Sequence, residues 1–192
     1  MNRLLNNPEQ VVDEMLAGYI ASYPDRFCKL DGYHVLLNKN EKDKVSIVIG
    51  AGGGNEPWPI GYVGEGLADA CSLGNVFAAP TAKSILNAIR YVPNEKGVLC
   101  IATNHAGDVL NFELVAGLAE MEGIHTRQIY VSDDITSAEK TQREERRGIA
   151  GVSLIVKIAA AASEAGLSLE EVYEIASMAN KNIYTCLLYT SD

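Results

Sequence analysis

The chain is poor in the residues that most often announce a function. Cysteine occurs four times, at Cys28, Cys71, Cys100 and Cys186, with no C-x-x-C spacing. Neither a zinc site nor a disulfide framework is indicated, and ordinary thiols in a reducing cytoplasm are the plain expectation. Positive charge is scarce: sixteen lysines and arginines stand against twenty-five aspartates and glutamates, a net charge of −9. That argues against nucleic acid or an anionic membrane as the main partner, since both demand a basic face. A locally positive pocket for a phosphorylated ligand is still compatible with it. Long apolar runs are missing too. The opening MNRLLNNPEQ lacks the apolar core of a signal peptide. The most apolar later segment, residues 152–162, is broken by Lys157 and is too short to cross a bilayer. Histidine occurs only at His34, His105 and His125.

Glycine, by contrast, is concentrated in one place. The β-branched run Ile47-Val48-Ile49 ends in Gly50-Ala51-Gly52-Gly53-Gly54, followed by Asn55-Glu56-Pro57. Glycines at that density allow positive φ and let a ligand approach bare backbone N–H groups. The competing reading is a turn that merely connects two elements. Two familiar phosphate loops do not fit. No lysine follows the glycines as G-x-x-x-x-G-K-[ST] requires, and G-x-G-x-x-G from Gly50 fails at Asn55. Pro57 and Pro59 also keep a helix from starting directly on the loop.

A chain of 192 residues suits one domain or slightly more. Asn7-Pro8 reads as an N-cap and first helical position, and Val11, Val12, Met15, Leu16, Tyr19 and Ile20 repeat at helical spacing up to Pro24. A linker-like stretch at residues 38–43 precedes a strand at 45–49. A second strand is predicted at 75–79, then a helix from Pro80-Thr81 in which Ile85, Leu86 and Ile89 share a face. Residues 97–102 (GVLCIA) are apolar without alternation, as a strand buried in a parallel sheet requires. A loop at 103–107, a helix at 108–121, a strand at 125–131 and helices at 147–165 and 168–180 follow. Ser168 with Glu171 forms a capping box. The alternation predicts an α/β fold with a mostly parallel sheet flanked by helices. Three polar clusters then fall at carboxyl ends of strands: the glycine segment, residues 104–108, and Ser132-Asp133-Asp134. Such ends line the ligand crevice of open parallel sheets.

Among these residues Asp108 is the leading acid–base candidate, because a carboxylate there can take a proton from a substrate hydroxyl. Helix N-capping accounts for an aspartate at that place equally well. His105 reads as a base, a donor to substrate, or a plain loop histidine. Asp133-Asp134 reads as a cation site or, more simply, as a turn or cap. The run Glu139-Lys-Thr-Gln-Arg-Glu-Glu-Arg-Arg147 reads as a solvated, salt-bridged helical face.

Taken in order, VSIVIGAGGGNEPWPIGYVGEGLADACSLGNVFAAPT, TNHAGDVLNFE, VSDD and RRGIAG resemble the dihydroxyacetone kinase family. More narrowly they are similar to its K subunit, or to the N-terminal domain of its single-chain members, and the likeness runs from the first helix to about residue 182. The resemblance implies the N-terminal domain of a two-domain, homodimeric, cytoplasmic subunit that serves glycerol metabolism. It implies binding of a short-chain ketose such as dihydroxyacetone. A phosphoryl group would then reach a ketose hydroxyl from ATP or ADP held with Mg on a separate L-type subunit or domain. No cofactor or metal is implied for this domain itself. The family's glycine-loop contacts map onto Gly52 and Gly53, with Gly54 beside them. The acid of G-D-x-L-N-F, which acts as base, maps onto Asp108.

The chain departs from the family pattern at several points. Histidine commonly stands where Asn55 does, and lysine where Thr103 does. Asparagine hydrogen-bonds but does not shuttle protons near neutral pH. The departures point to another ketose, such as a tetrulose, or to a sensor that binds without catalysis, with His105 partly replacing a missing group. The family's covalent ketose-binding histidine lies in a second half, and none of the three histidines here matches it. Residues 183–192 show no family likeness and read as a non-native tail on an incomplete subunit, with residues 1–182 as the domain. Such a fragment alone is expected to be inactive.

Overall fold

The β-branched run before the glycines forms the centre of a sheet. The computed structural model describes residues 5–187. Its six strands are β1 (Phe27–Lys29), β2 (Val35–Asn38), β3 (Ser46–Gly53), β4 (Ala70–Val76), β5 (Val98–Thr103) and β6 (Thr126–Val131). They lie in the order β1-β2-β4-β3-β5-β6. β4, β3, β5 and β6 are mutually parallel, while the short β1 and β2 extend one edge antiparallel. Helices α1 (Val11–Ser22), α4 (Gly151–Glu164) and α5 (Leu169–Asn182) cover one face, and α2 (Ala82–Tyr91) and α3 (Ala106–Met121) the other.

The side-chain alternation of the central strands explains the three layers. Ile47, Ile49, Leu99 and Ile101 point into a cluster with Leu16, Ile155, Val156 and Val172. Val48, Val98 and Cys100 point the other way, onto Ile85, Ile89, Phe112 and Val115. Both faces are buried, which is why these strands read as unbroken apolar runs. Burying each of these side chains contributes about 1.5–3 kcal/mol. Truncating Ile49 or Ile101 to alanine therefore costs about 2–5 kcal/mol once the cavity is counted. The Ser168–Glu171 capping box opens α5 as expected, and Thr81 caps α2 by accepting from the Ser84 amide.

Several expectations needed correction. The strand predicted at 75–79 is Ala70–Val76, and Phe77 leaves it with φ of 59°. Ser72, Gly74 and Asn75 disguised a buried strand whose pairing to β3 outweighs its weak propensity. β1 and β2 were not anticipated, because strands of three and four residues carry too little periodicity to read. α4 begins at Gly151 rather than 147. The run 139–147 is no salt-bridged helix: a 3-10 stretch at Lys140–Glu145 kinks at Gln142, and Arg146 is buried with its Nε donating to the Ala138 carbonyl. The final residues of the segment read as a tail, 188–192, lie outside the described residues.

Candidate functional site

Parallel strands β3, β5 and β6 end together, so the segments leaving them meet along one edge of the sheet. The glycine segment is largely strand: Gly50 pairs with Ser72 and Gly53 with Val76, with a register shift between Ala51 and Gly53. A Cβ on Gly52 would lie 2.8 Å from the Ala78 carbonyl oxygen. The bare backbone there thus admits the chain's own loop after β4. Gly53 is buried, and Gly54 and Asn55 emerge into solvent. The Gly54 amide donates to Glu56 Oε1 at 3.1 Å.

Beyond this turn lies a cleft of about 340 Å³. Asn55, Trp58, Tyr62, Thr103 and His105 line it, together with a wall of Gly148, Ile149 and Val152. Trp58 and Tyr62 meet edge to face with centroids 5.6 Å apart. Gly148 is obligatory at its position, because a Cβ would sit 2.1 Å from the Val131 carbonyl oxygen. Asn104 holds the approach to this wall by donating to the Glu144 and Arg146 carbonyls at 2.8 and 2.7 Å. Asp133, fully buried, accepts from the Ile149 and Gly151 amides at 2.8 and 2.7 Å. Asp134 accepts from Thr136 and pairs with Arg147 at 3.2 Å. Both acids serve as caps and anchors, and among the described residues no group of His, Cys, Asp and Glu is arranged to hold a metal.

Asp108 stands immediately behind the cleft. α3 begins at Ala106, so Asp108 lies inside the first turn and His105 takes the N-cap position without a side-chain cap bond. Asp108 is therefore not the N-cap residue, although its charge still lies in the first turn, where the helix dipole favours it. The residue is 4% exposed. Oδ2 accepts from Thr103 Oγ1 at 3.4 Å and lies 3.7 Å from His105 Nδ1, while Oδ1 is buried without a partner. Burial pushes its pKa up to about 6, against the opposing influence of His105 and Thr103. An orphaned, desolvated carboxylate beside a cleft makes Asp108 a candidate functional group.

The structure thus gathers Asn55, Thr103 and His105 in one cleft with Asp108 against them. Gly52, Gly53 and Gly54 lie at the approach, outside its lining. Trp58, Tyr62 and Ile149 were not singled out from sequence; the aromatic pair just past the glycines was the available signal. A larger concavity of about 530 Å³, beside Lys96, His125, Arg127 and Glu170, lies at the opposite edge, near the strands' amino ends. Size favours it, yet the convergence of strand ends and the perturbed carboxylate favour the smaller cleft.

The Dak1 domain family model matches residues 17–189. The chain is 42% identical over 173 residues to the dihydroxyacetone-binding subunit DhaK of PTS-dependent dihydroxyacetone kinase 1 of Listeria innocua, covering 90% of this chain and 53% of that one. It is 39% identical over 180 residues to the L-erythrulose 1-kinase of Mycolicibacterium smegmatis, covering 94% and 32%. Among solved structures, the dihydroxyacetone kinase of C. freundii in complex with AMP-PNP and Mg2+ superposes with a TM-score of 0.87 at 31% identity, over 94% of this chain and 34% of that one. A dihydroxyacetone kinase operon co-activator, Dha-DhaQ, superposes with a TM-score of 0.80 at 35% identity, over 86% and 51%. The chain spans about half the length of the DhaK relative and about a third of the erythrulose kinase.

Proposed function

The chain belongs to the Dak1 domain family, and on that premise we propose that it is the substrate-binding part of a ketose kinase. In the full-length protein a short-chain ketose occupies the cleft at the ends of β3 and β5. The side chains of Asn55, Thr103 and His105 hold it, the backbone at Gly52–Gly54 flanks its approach, and Asp108 supplies the base. A phosphoryl group reaches the ketose hydroxyl from ATP or ADP, held with Mg on an L-type subunit or domain. Residues 1–182 are the N-terminal domain of a two-domain, homodimeric, cytoplasmic subunit, and that domain alone does not turn over substrate.

The single observation that carries this reading is Asp108. Its pKa of about 6 leaves it mostly ionised at neutral pH yet basic enough to take a proton, the compromise general-base catalysis favours. Its neighbours Thr103 and His105 reach the cleft. The cleft volume of about 340 Å³ leaves room for a four-carbon ketose, in keeping with the similarity to erythrulose kinases. The test is phosphorylation of C3 and C4 ketoses by the full-length protein with its L-type partner and ATP. Asp108→Asn is expected to lower kcat by roughly a hundredfold or more. Undiminished turnover in that variant removes Asp108 from the role.

A second reading is a ketose-binding co-activator that does not catalyse. The likeness to Dha-DhaQ and Asn55 in place of a histidine favour it. Phosphorylation of any ketose in the same assay overturns it, and binding without turnover by any donor supports it.

A further inference from the structure

The turn that leaves the glycine segment brings two side chains to the cleft at once. The Trp58 amide donates to the Asn55 carbonyl at 3.1 Å, and the Gly61 amide to the Pro57 carbonyl at 2.7 Å. Pro57 and Pro59 fix the backbone on either side of Trp58. Gly61 permits the closeness of the turn, because a Cβ there would lie 2.9 Å from Pro57 Cβ. Asn55 and Trp58 thus stand on one hydrogen-bonded frame, and both line the cleft. The half-buried indole meets Tyr62 edge to face, which helps to hold its orientation. Its Nε1 is buried without a hydrogen-bond partner among the described residues. An aliphatic side chain would fill space there without an orphaned donor, so packing alone does not account for a tryptophan.

The cleft is divided by chemistry. Asn55, Thr103 and His105 bring amide, hydroxyl and imidazole groups, and Asp108 lies behind Thr103. Trp58, Ile149 and Val152 bring carbon surface, since the indole N–H is buried. A few polar groups that orient a ligand against an apolar, aromatic wall are the ordinary makings of a small-molecule site. A ketose suits such a division, with oxygens on some sides of its carbon chain and C–H bonds on others. We propose that Trp58 is the residue that selects ketose length, by taking the carbon chain of a four-carbon ketose against its indole. The inference rests on the reading that this cleft binds a ketose, and it leaves Asp108 as the base. A three-carbon ketose has no carbon beyond the two that flank its carbonyl, so it covers less of the ring. One carbon more or less against an apolar wall is worth about tenfold or somewhat more in discrimination. The Trp58 side chain makes no hydrogen bond to Asp108, Thr103 or His105, so it acts on which ketose is held and not on proton transfer.

Two measurements on the full-length protein test it. With the L-type partner and ATP, wild type is expected to favour erythrulose over dihydroxyacetone in kcat/KM by about tenfold or more. Trp58→Ala is expected to erase that preference, with KM for erythrulose rising about tenfold more than KM for dihydroxyacetone, and Trp58→Phe to keep most of it. Separately, Trp58 is the single tryptophan of these 192 residues, so emission present in wild type and absent from Trp58→Phe is its own. That emission is expected to change on titration with erythrulose, and at lower concentration than with dihydroxyacetone, without any turnover. A wild type that prefers dihydroxyacetone, or a Trp58→Ala variant with an unchanged ratio of the two ketoses, overturns the inference and leaves the proposed function standing. Should Trp58→Ala fail to fold, the titration decides: Trp58 emission indifferent to erythrulose at concentrations that saturate turnover overturns it equally. Absence of phosphoryl transfer by the wild-type protein from any donor overturns the kinase reading instead, and the titration alone then decides whether Trp58 selects the ketose that is bound.

Discussion

Replacing Asp108 by asparagine should make the protein more stable while making it inactive. The carboxyl is held at about 6 against an ordinary 3.8 because burial penalises the charged form. A group whose folded pKa is raised contributes stability that is fully present below the unfolded value and is lost as pH rises through the folded one. The difference of about two units corresponds to about 3 kcal/mol lost above pH 6, at 1.36 kcal/mol per unit. Asparagine avoids the buried charge but introduces an amide N–H2 where Oδ1 has no partner, which returns about 1–2 kcal/mol of that gain. The expected net is about 1–2 kcal/mol in favour of the variant at neutral pH, or a few degrees in Tm. Melts of wild type and variant from about pH 4 to pH 8 should therefore find the variant about 1–2 kcal/mol less stable at the acid end, change sign through the window between 3.8 and about 6, and run parallel above it. Taking the difference between the two proteins cancels every other titration they share. A variant no more stable than wild type at pH 8, or a gap that does not depend on pH, refutes the argument that desolvation sets this carboxyl.

Other outcomes follow from the cleft wall and its supports. Gly148→Ala puts a Cβ 2.1 Å from the Val131 carbonyl oxygen, so the wall must move. Denaturant titration should show a loss of about 1–3 kcal/mol, and calorimetry weaker ketose binding. Asp133→Ala leaves the half-buried Ile149 and buried Gly151 amides without an acceptor, at up to about 1–3 kcal/mol each, whereas Asp133→Asn keeps one carbonyl and should cost less, which thermal melts would resolve. Asn55→His should shift kcat/KM toward dihydroxyacetone relative to C4 ketoses in a substrate panel, since the side chain at residue 55 lines the cleft.

How much of this could be read from residues alone depended on burial. Residues 47–49 and 98–102 are apolar on both faces because helices cover both, and a run of that kind identifies a parallel strand with little help. β4 hides the same role behind Ser72, Gly74 and Asn75: Ser72 Oγ donates to Ser84 Oγ inside the core at 2.8 Å, a satisfied polar pair that no hydrophobic pattern reveals. The start of α4 was misread for a related reason. Residues 147–150 carry helix-compatible side chains, yet the bond from Asn104 to the Arg146 carbonyl just before them, the bond from the Ile149 amide to Asp133 and the tight fit of Gly148 hold them as the wall of the cleft. Tertiary hydrogen bonds decide such segments, and their partners lie up to 42 residues away.

The same limit applies to the site. Asp108 was legible as a carboxylate in a suggestive place, but whether it is the N-cap residue turned on where α3 begins, and a two-residue shift in that start puts it inside the first turn instead. Thr103 read as the first residue of a loop, in the place of a common lysine; the structure puts it at the end of β5, 3.4 Å from Asp108 and 3.2 Å from His105 at once. The glycines show the converse. Their density suggested a cradle for a ligand, yet Gly52 is bare because Ala78 presses against it, and Gly53 lies under Val12. Steric need inside the fold and access for a ligand leave the same mark in a sequence, and only the direction in which the missing Cβ would point separates them. At Gly52 it points into the protein, so a substitution there should cost stability first, and affinity only as the Ala78 loop is displaced.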